Sequence, residues 1–213
     1  MNKNKQFVIS INRELGSGGR TVGEKLAQKL GVSFYDKALI KALEEKYNLT
    51  TEEIEALKGR SHSWWADFKR VIGLGYSVSN NPNYTPSLIN EPDLLTTDEM
   101  YRAECEILNG MAADESCIIA GRSGFYIFRN HPNHLSILIQ ASMEQRVQRL
   151  VRKRNIMPQQ AEAVIKEVDT MRDNYITKYT GTNRYDARYY DLVINMDGKT
   201  EDQIVDLILQ YIG

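Results

Sequence analysis

One stretch of the sequence decides the fold: Ile9-Ser10-Ile11-Asn12-Arg13-Glu14-Leu15-Gly16-Ser17-Gly18-Gly19-Arg20-Thr21-Val22-Gly23. An apolar, β-branched run ends at a glycine-rich turn, and an amphipathic helical pattern follows at once. This order brings several backbone N–H groups and a helix N-terminus around one point, which suits an anion such as a phosphate. The usual pattern, G-x-x-x-x-G-K-[ST], places a lysine beside the phosphates. Here Arg20 and Thr21, and no lysine, follow the last glycine pair.

The candidate anion site is the glycine-rich loop within this stretch. Glycine lets the backbone approach an anion closely and adopt positive φ angles. Arg20, at the start of the helix, would clamp a phosphate through two N–H groups, and the hydroxyl of Thr21 or Ser17 would serve a magnesium ion. An ordinary strand-to-helix turn with a surface arginine is the alternative. The loop residues are Gly16, Ser17, Gly18, Gly19, Arg20 and Thr21.

The composition is typical of a globular chain in a reducing compartment. Its 213 residues are 42% apolar and 26% charged, with a formal net charge of −1. Nucleic-acid and membrane-surface binders carry a basic excess, so this charge disfavours both classes. No apolar run reaches the roughly 18 residues that cross a bilayer. The two cysteines, Cys105 and Cys117, have neither zinc nor disulfide spacing. We therefore expect a cytoplasmic protein.

Five apolar runs predict the strands of one sheet. They are nearly continuous, which is typical of parallel strands covered on both faces, and helical patterns lie between them. The alternation predicts an α/β fold with a parallel, doubly wound sheet. Residues 60–95, with Trp64-Trp65, interrupt the alternation and predict a functional insertion or a subunit contact. The five runs are Phe7–Ile11, Ser33–Tyr35, Cys117–Ala120, Leu135–Ile139 and Leu192–Ile194.

Polar residues follow three of the predicted strands. Asp36 comes after the second strand, Gly121-Arg122-Ser123 after the third and Ala141-Ser142 after the fourth. Ligands of open α/β sheets bind outside the carboxyl ends of the strands, so Arg122 is expected to face the same crevice as the glycine loop. For Asp36, a plain helix cap is an equally good interpretation.

A basic stretch, Arg146 to Arg154, precedes a helix predicted from Pro158 to Gly181. Together with Arg172 of that helix, this stretch would close over the phosphates and stabilise charge on a transferring group. A solvated basic face is the alternative for the stretch. For Arg172, the alternative is a local ion pair with Asp169, three residues earlier.

With these segments in one order, the chain resembles the nucleoside monophosphate kinases, and most of all the cytidylate kinase-like family. The resemblance implies a three-layer P-loop kinase fold in a single domain, with a five-stranded parallel sheet in its core. It also implies ATP and Mg²⁺ as cofactors and a small-molecule nucleotide as substrate; a homo-oligomer is one expectation. The implied parts are a core of residues 1–35 and 96–213, an acceptor-binding insertion of about 36–95 and a lid of about 150–180. The segments that carry the resemblance are Ser10–Arg20, Phe34–Asp36, Ile118–Arg122, Arg172–Tyr175 and Tyr190–Asn195.

The resemblance also implies a role for each matching residue. The loop Gly16–Thr21 would hold the donor phosphates, with Thr21 at the magnesium ion. Asp36 and Arg122, with the adjacent Ser123, would bind the acceptor. The transferring phosphoryl group would be neutralised by Arg20, by Arg152 or Arg154, and by Arg172.

The sequence departs from the family pattern at two places, and both bear on the expected activity and not on the expected fold. The position of the usual lysine falls on Gly19, and the opening glycine of the loop falls on Arg13. The acidic residues that flank the Gly-Arg turn in cytidylate kinases are replaced by Ala120 and Ser123. Two functions therefore follow from the sequence: ATP-dependent phosphoryl transfer to a nucleoside monophosphate or other small acceptor, or silent nucleotide binding by a sensor with the same fold.

Overall fold

The protein is described by a computed structural model that covers residues 1–36, 98–121 and 123–213. Two compact units are distinguished, Met1–Asp36 with Ser116–Gly213, and Lys37–Glu115. The predicted insertion, its Trp64-Trp65 pair and Arg122 lie outside the described residues. The single-domain boundaries expected from the sequence stay a prediction.

The first unit contains one parallel sheet of five strands, as the sequence predicts. Its order is β2-β3-β1-β4-β5, so the glycine-loop strand is central. In register, Ile11 of β1 faces Ala120 of β3, and Asp36 of β2 faces the same Ala120 from the other side. The strands are β1 (Val8–Arg13), β2 (Ser33–Asp36), β3 (Cys117–Ala120), β4 (His134–Gln140) and β5 (Leu192–Asn195).

The helices begin and end near the residues that the sequence indicates. Gly31 ends the first helix with φ +67°, and Gly181 ends the long helix that begins at Pro158. Ser142 caps a basic helix by accepting from the Gln145 N–H. Within the described ranges, no helix combines the length and apolar character needed to cross a membrane. The helices are α1 (Gly19–Leu30), α2 (Asp98–Asp114), α3 (Gly124–Ile127), α4 (Met143–Arg154), α5 (Pro158–Thr180) and α6 (Glu201–Ile212).

The hydrophobic core of the first unit forms between the central strands and the helices α1 and α6. Ile9, Ile11 and Ile139 are fully buried there, together with Leu26 of α1. Cys117 is also fully buried, as predicted. The last strand differs from the expectation of a fully covered run, because β5 lies at the sheet edge and Val193 is 46% exposed.

A half-buried histidine in β4 makes the stability of the fold depend on pH. His134 Nε2 lies 2.7 Å from Ser10 Oγ. Burial lowers the pKa of the imidazole to about 4, although the nearby Asp191 acts in the opposite direction. In an unfolded chain the pKa of histidine is about 6.5, so between these pH values the unfolded state binds a proton that the native state does not.

We expect the free energy of unfolding to fall by up to about 3 kcal/mol as the pH drops from about 6.5 to 4. The stability is fully present above this window and is lost as the pH falls through it. Urea denaturation at pH 7 and 4.5 measures the change, and His134→Gln should remove most of it. An unchanged pH dependence in His134→Gln would contradict the assignment.

Candidate functional site

The carboxyl ends of β1, β2 and β3 form one edge of the sheet, and the predicted site residues of the first unit gather there. The glycine loop follows β1, Asp36 ends β2, and Gly121 follows β3 with its N–H donating to the Ile11 carbonyl (2.9 Å). Sequence-distant polar residues thus share one edge, as expected for a ligand site of an open α/β sheet.

The backbone of the loop has the form of an anion cradle. Gly16 and Gly18 have φ values of +83° and +91°, and α1 begins at Gly19. Within the described part of the chain, the N–H groups of Gly16, Gly18, Arg20 and Thr21 have no acceptor. Unpaired N–H groups at a helix start attract a phosphate.

The loop carries one contact that a simple substitution tests. A Cβ on Gly16 would lie 2.9 Å from the Arg146 carbonyl oxygen, whereas a Cβ on Gly198, also at positive φ, meets nothing within 4 Å. Gly198→Ala should therefore cost only the strain of a left-handed alanine, about 1–2 kcal/mol. Gly16→Ala should cost at least about 1 kcal/mol more, because the backbone must shift. Urea denaturation compares the two variants, and equal losses would contradict the described contact.

The structure places the Arg20 guanidinium against two carboxylates. Its Nε donates to Asp36 Oδ2 (2.7 Å), and its Nη2 lies 3.1 Å from Glu24 Oε1. Asp36 is buried, while the Arg20 side chain is 45% exposed. The phosphate role assigned to Arg20 and the acceptor role assigned to Asp36 stay predictions, and the structure brings the two residues together as a pair.

The two hydroxyl groups proposed for magnesium lie in different surroundings. Ser17 Oγ is buried, donates to the Glu14 carbonyl (3.0 Å) and accepts from the Gly19 N–H (3.4 Å), so it shapes the loop. Thr21 Oγ1 has no hydrogen bond to any described residue, and its assignment to the magnesium ion stays a prediction. No cluster of three or more His, Cys, Asp or Glu side chains suited to a metal occurs in the described ranges.

Helix α4 places cations around the loop. A Cβ on Gly18 would lie 2.8 Å from Arg149 Nη2, so the Arg149 guanidinium covers the loop there while pairing with Glu201. Burial, and next the neighbouring Arg152, lower the pKa of Arg149. Arg152 itself is exposed and makes no ion pair with the described residues. An anion near Gly18 would relieve this concentration of positive charge.

Helix α5 is joined to the loop through one carboxylate. We call Asp169, with the three arginines that surround it, the Asp169 cluster. Asp169 Oδ1 accepts from the Leu15 N–H (3.2 Å), and the carboxylate is only 13% exposed. Its arginine partners are Arg146, through an ion pair with Oδ2, and Arg184 and Arg172, at 3.2 and 3.6 Å from Oδ1.

Arg172 lies inside this cluster and not on a solvated face. Its Nη1 donates to the Arg13 carbonyl (3.1 Å), in addition to the local contact with Asp169. Burial, followed by the like charge of Arg13, lowers the pKa of Arg172 to about 9, and Asp169 opposes the change. Arg172 is therefore held beside the loop at a place where the positive charges outnumber the negative ones.

The predicted acceptor residues after β3 are described only in part. Arg122 lies outside the described residues. Ser123 has φ +53°, caps α3 and is buried, and its Oγ has no hydrogen-bond partner among the described residues. A buried hydroxyl of this kind suits a ligand contact.

Two features of the site are not indicated by the sequence pattern. Arg184, and the contact of Arg146 with Asp169, join the loop region only through the tertiary packing of the chain. The sequence pattern shows Arg13 only at the position of the usual first glycine, and its side chain lies beside Gly19. The available signal was the exchange of residue types itself, with arginine in the place of glycine and glycine in the place of lysine.

A model of the cytidylate kinase-like family matches residues 8–198. The chain belongs to this family. Membership accounts for the order of the strand, glycine loop, Gly-Arg turn and basic helices, and it fits the P-loop kinase architecture of the first unit. Gly19 stands at the position where the general P-loop pattern has a lysine.

Solved structures share the fold of this cytidylate kinase-like chain. An uncharacterized protein from Eubacterium ventriosum is 23% identical, with a TM-score of 0.68 over 97% of this chain and 98% of its own. A gluconokinase from Sinorhizobium meliloti is 13% identical, with a TM-score of 0.51 over 97% and 91%. Shikimate kinase from Acinetobacter baumannii, in complex with shikimate, is 15% identical, with a TM-score of 0.50 over 98% and 93%.

One curated relative is also similar to this cytidylate kinase-like chain. It is an S-adenosylmethionine-dependent nucleotide dehydratase from Lacinutrix mariniflava, 25% identical over 210 residues and 95% of this chain. The chain spans about a third (35%) of the length of that relative.

Proposed function

We propose that the protein transfers a phosphoryl group from ATP, with Mg²⁺, to a nucleoside monophosphate of the cytidylate type or to another small acceptor. The observation that carries the proposal is the glycine loop with its unpaired N–H groups, beside which Arg149 and Arg172 are held. No side chain needs to act as a nucleophile, because phosphoryl transfer depends mainly on positioning and on charge stabilisation.

The residues divide into donor and acceptor groups. The N–H groups from Gly16 to Thr21 would bind the donor phosphates, and the Thr21 hydroxyl would face the magnesium ion. Asp36, Ser123 and Arg122 would bind the acceptor. Bound ATP supplies the phosphoryl group and Mg²⁺ offsets part of its charge. Arg172, with Arg152 at the outer side, would stabilise the rest.

One relative supports the proposal of a nucleotide acceptor. Shikimate kinase is similar only in fold. The curated relative, 25% identical over almost the whole chain, is named for a reaction of a nucleotide. This favours a nucleotide acceptor over a hydroxy acid such as shikimate.

Phosphoryl transfer from ATP to a panel of nucleoside monophosphates tests the proposal, with shikimate as the acceptor control. Formation of ADP and of a nucleoside diphosphate with at least one monophosphate is the expected result. The proposal fails if ATP is bound and no acceptor is phosphorylated.

A second candidate, a catalytically silent nucleotide-binding or sensor protein, is favoured by one observation. Gly19 stands where the lysine of an active loop is usual. Calorimetry with MgATP and the same monophosphates separates the candidates: binding without turnover supports the sensor, and turnover rejects it.

Location and assembly complete the proposal. We propose a cytoplasmic protein whose partner is the small-molecule nucleotide, with no nucleic acid or membrane partner, and which forms a homo-oligomer. Sedimentation velocity with and without MgATP measures the oligomeric state.

A further inference from the structure

The side chain of Arg13 occupies the space in which a loop lysine would begin. A Cβ added to Gly19 would lie 2.9 Å from Arg13 Cβ and 3.4 Å from Arg13 Cδ. The stem of Arg13 therefore runs along the missing side chain of residue 19. An arginine at position 13 and a lysine at position 19 would compete for the same volume.

The guanidinium of Arg13 ends between the loop and the turn after β3. A Cβ added to Gly121 would lie 2.7 Å from Arg13 Nη1, and Gly121 has φ +88°. The Arg13 side chain therefore begins beside the glycine loop, and its guanidinium lies next to the turn that precedes the predicted acceptor residues. Under the proposed function, this is the region in which the phosphoryl group would pass between the two substrates.

The backbone of Arg13 is fixed at both of its polar groups. Its N–H donates to Asn12 Oδ1 (2.9 Å), and its carbonyl accepts from Arg172 Nη1 (3.1 Å). Asn12 is in turn held by Tyr190, whose hydroxyl lies 2.6 Å from Asn12 Nδ2. These hydrogen bonds fix the point on the backbone from which the Arg13 side chain starts.

Two other arginines near the loop form ion pairs with carboxylates. Arg20 is held by Asp36 and Glu24, and Arg149 is paired with Glu201. Apart from the chain neighbours of Gly19, the side chains nearest to a Cβ at that position are those of Arg13 and Ile139, and of these two only Arg13 carries a charge.

We propose that Arg13 supplies the cation of the phosphate loop and contacts the terminal phosphate of bound ATP. Relative to the usual loop, arginine replaces glycine at position 13 and glycine replaces lysine at position 19. The positive charge then comes from the end of β1 and not from the start of α1, and the Arg13 stem fills the space that a lysine at position 19 would occupy. The inference rests on the proposed function, because it requires that the loop binds MgATP.

The test measures MgATP affinity by calorimetry in wild type, Arg13→Met, Arg13→Lys and the exchange variant Arg13→Gly/Gly19→Lys. Arg13→Met should weaken binding by about 10- to 100-fold, since it removes a charged hydrogen bond and keeps the apolar stem. The exchange variant should bind within about threefold of wild type, since it restores the first glycine and the lysine of the usual loop and leaves Arg20 unchanged at the position of the Ser/Thr. Arg188→Met, which removes an 88% exposed arginine, is the matched control and should bind like wild type.

Stability measurements separate packing from charge. Gly19→Lys alone should lower the melting temperature, because both side chains then share one volume, and the exchange variant should recover it. Equal affinity in wild type and Arg13→Met overturns the role of Arg13 and leaves the proposed function standing. Absence of MgATP binding in wild type overturns the proposed function. If Arg13→Met does not fold, the MgATP affinities of Arg13→Lys and of the exchange variant test the role of Arg13. Weak MgATP binding by the exchange variant counts against the proposal.

Discussion

Asp169→Asn is expected to lower the free energy of unfolding by about 3–5 kcal/mol. The carboxylate is 13% exposed and balances Arg146 and Arg184, whose side chains are 6% and 1% exposed. Removing its charge leaves these guanidinium groups close together in a buried site, where the cost of an unpaired charge is largest. The asparagine oxygen still accepts from the Leu15 N–H, so the loss reports the charge and not the loop contact.

Guanidinium denaturation at pH 7 measures this effect, with Asp206→Asn as the matched control. Asp206 forms an ion pair of 2.7 Å with Lys29, but its side chain is 65% exposed. Exposed pairs contribute little, so this control should change stability by no more than about 1 kcal/mol. Similar small losses in both variants would show that the Asp169 cluster does not hold α5 to the loop.

Arg172→Met is expected to reduce kcat/KM for phosphoryl transfer by about 10²–10³-fold, if the proposed function holds. The guanidinium is held beside the loop by the Arg13 carbonyl, and burial with the charge of Arg13 lowers its pKa to about 9. Arg172 and Arg13 repel each other. The negative charge that develops on the transferring group in the transition state would relieve this repulsion more than the charge of the bound substrate does. The fall should therefore be in kcat rather than in KM.

Steady-state kinetics with ATP and the best monophosphate measure this effect. Arg188→Met is again the control, and it should retain the wild-type rate. Arg172→Lys should recover part of kcat, because the charge is kept and the fork geometry is lost. A kcat within threefold of wild type in Arg172→Met would remove Arg172 from the transfer step.

The strands and helices were predicted well because their signals are local. Apolar runs predict the ends of all five strands to within two residues, and Gly31 and Gly181 indicate the ends of α1 and α5. A run of side chains carries these signals over a few residues. The exposure of Val193 was not predicted, because the position of β5 at the edge depends on the strand order.

The sequence predicts the position of the glycine loop, but it predicts only some of the charged residues that surround the loop. The pattern Gly16–Thr21 indicates where an anion would bind, but residue type alone does not say which arginine faces it. Arg20 was the nearest cation in sequence, and the fold pairs it with Asp36 across the end of β2. Arg13 lies next to Gly19 because the loop turns back on itself, a contact that fixed sequence spacing does not show.

The sequence by itself determined the parallel α/β fold, the position of the phosphate loop and the family, since these depend on local periodicity and on short motifs in a given order. Only the tertiary structure decided which charges meet at the loop. Leu15, Arg146, Asp169 and Arg184 come together from separations of up to 169 residues. Such contacts depend on how α4 and α5 pack against the end of β1. Electrostatic interactions act through space, and the order of residues along the chain does not record those distances.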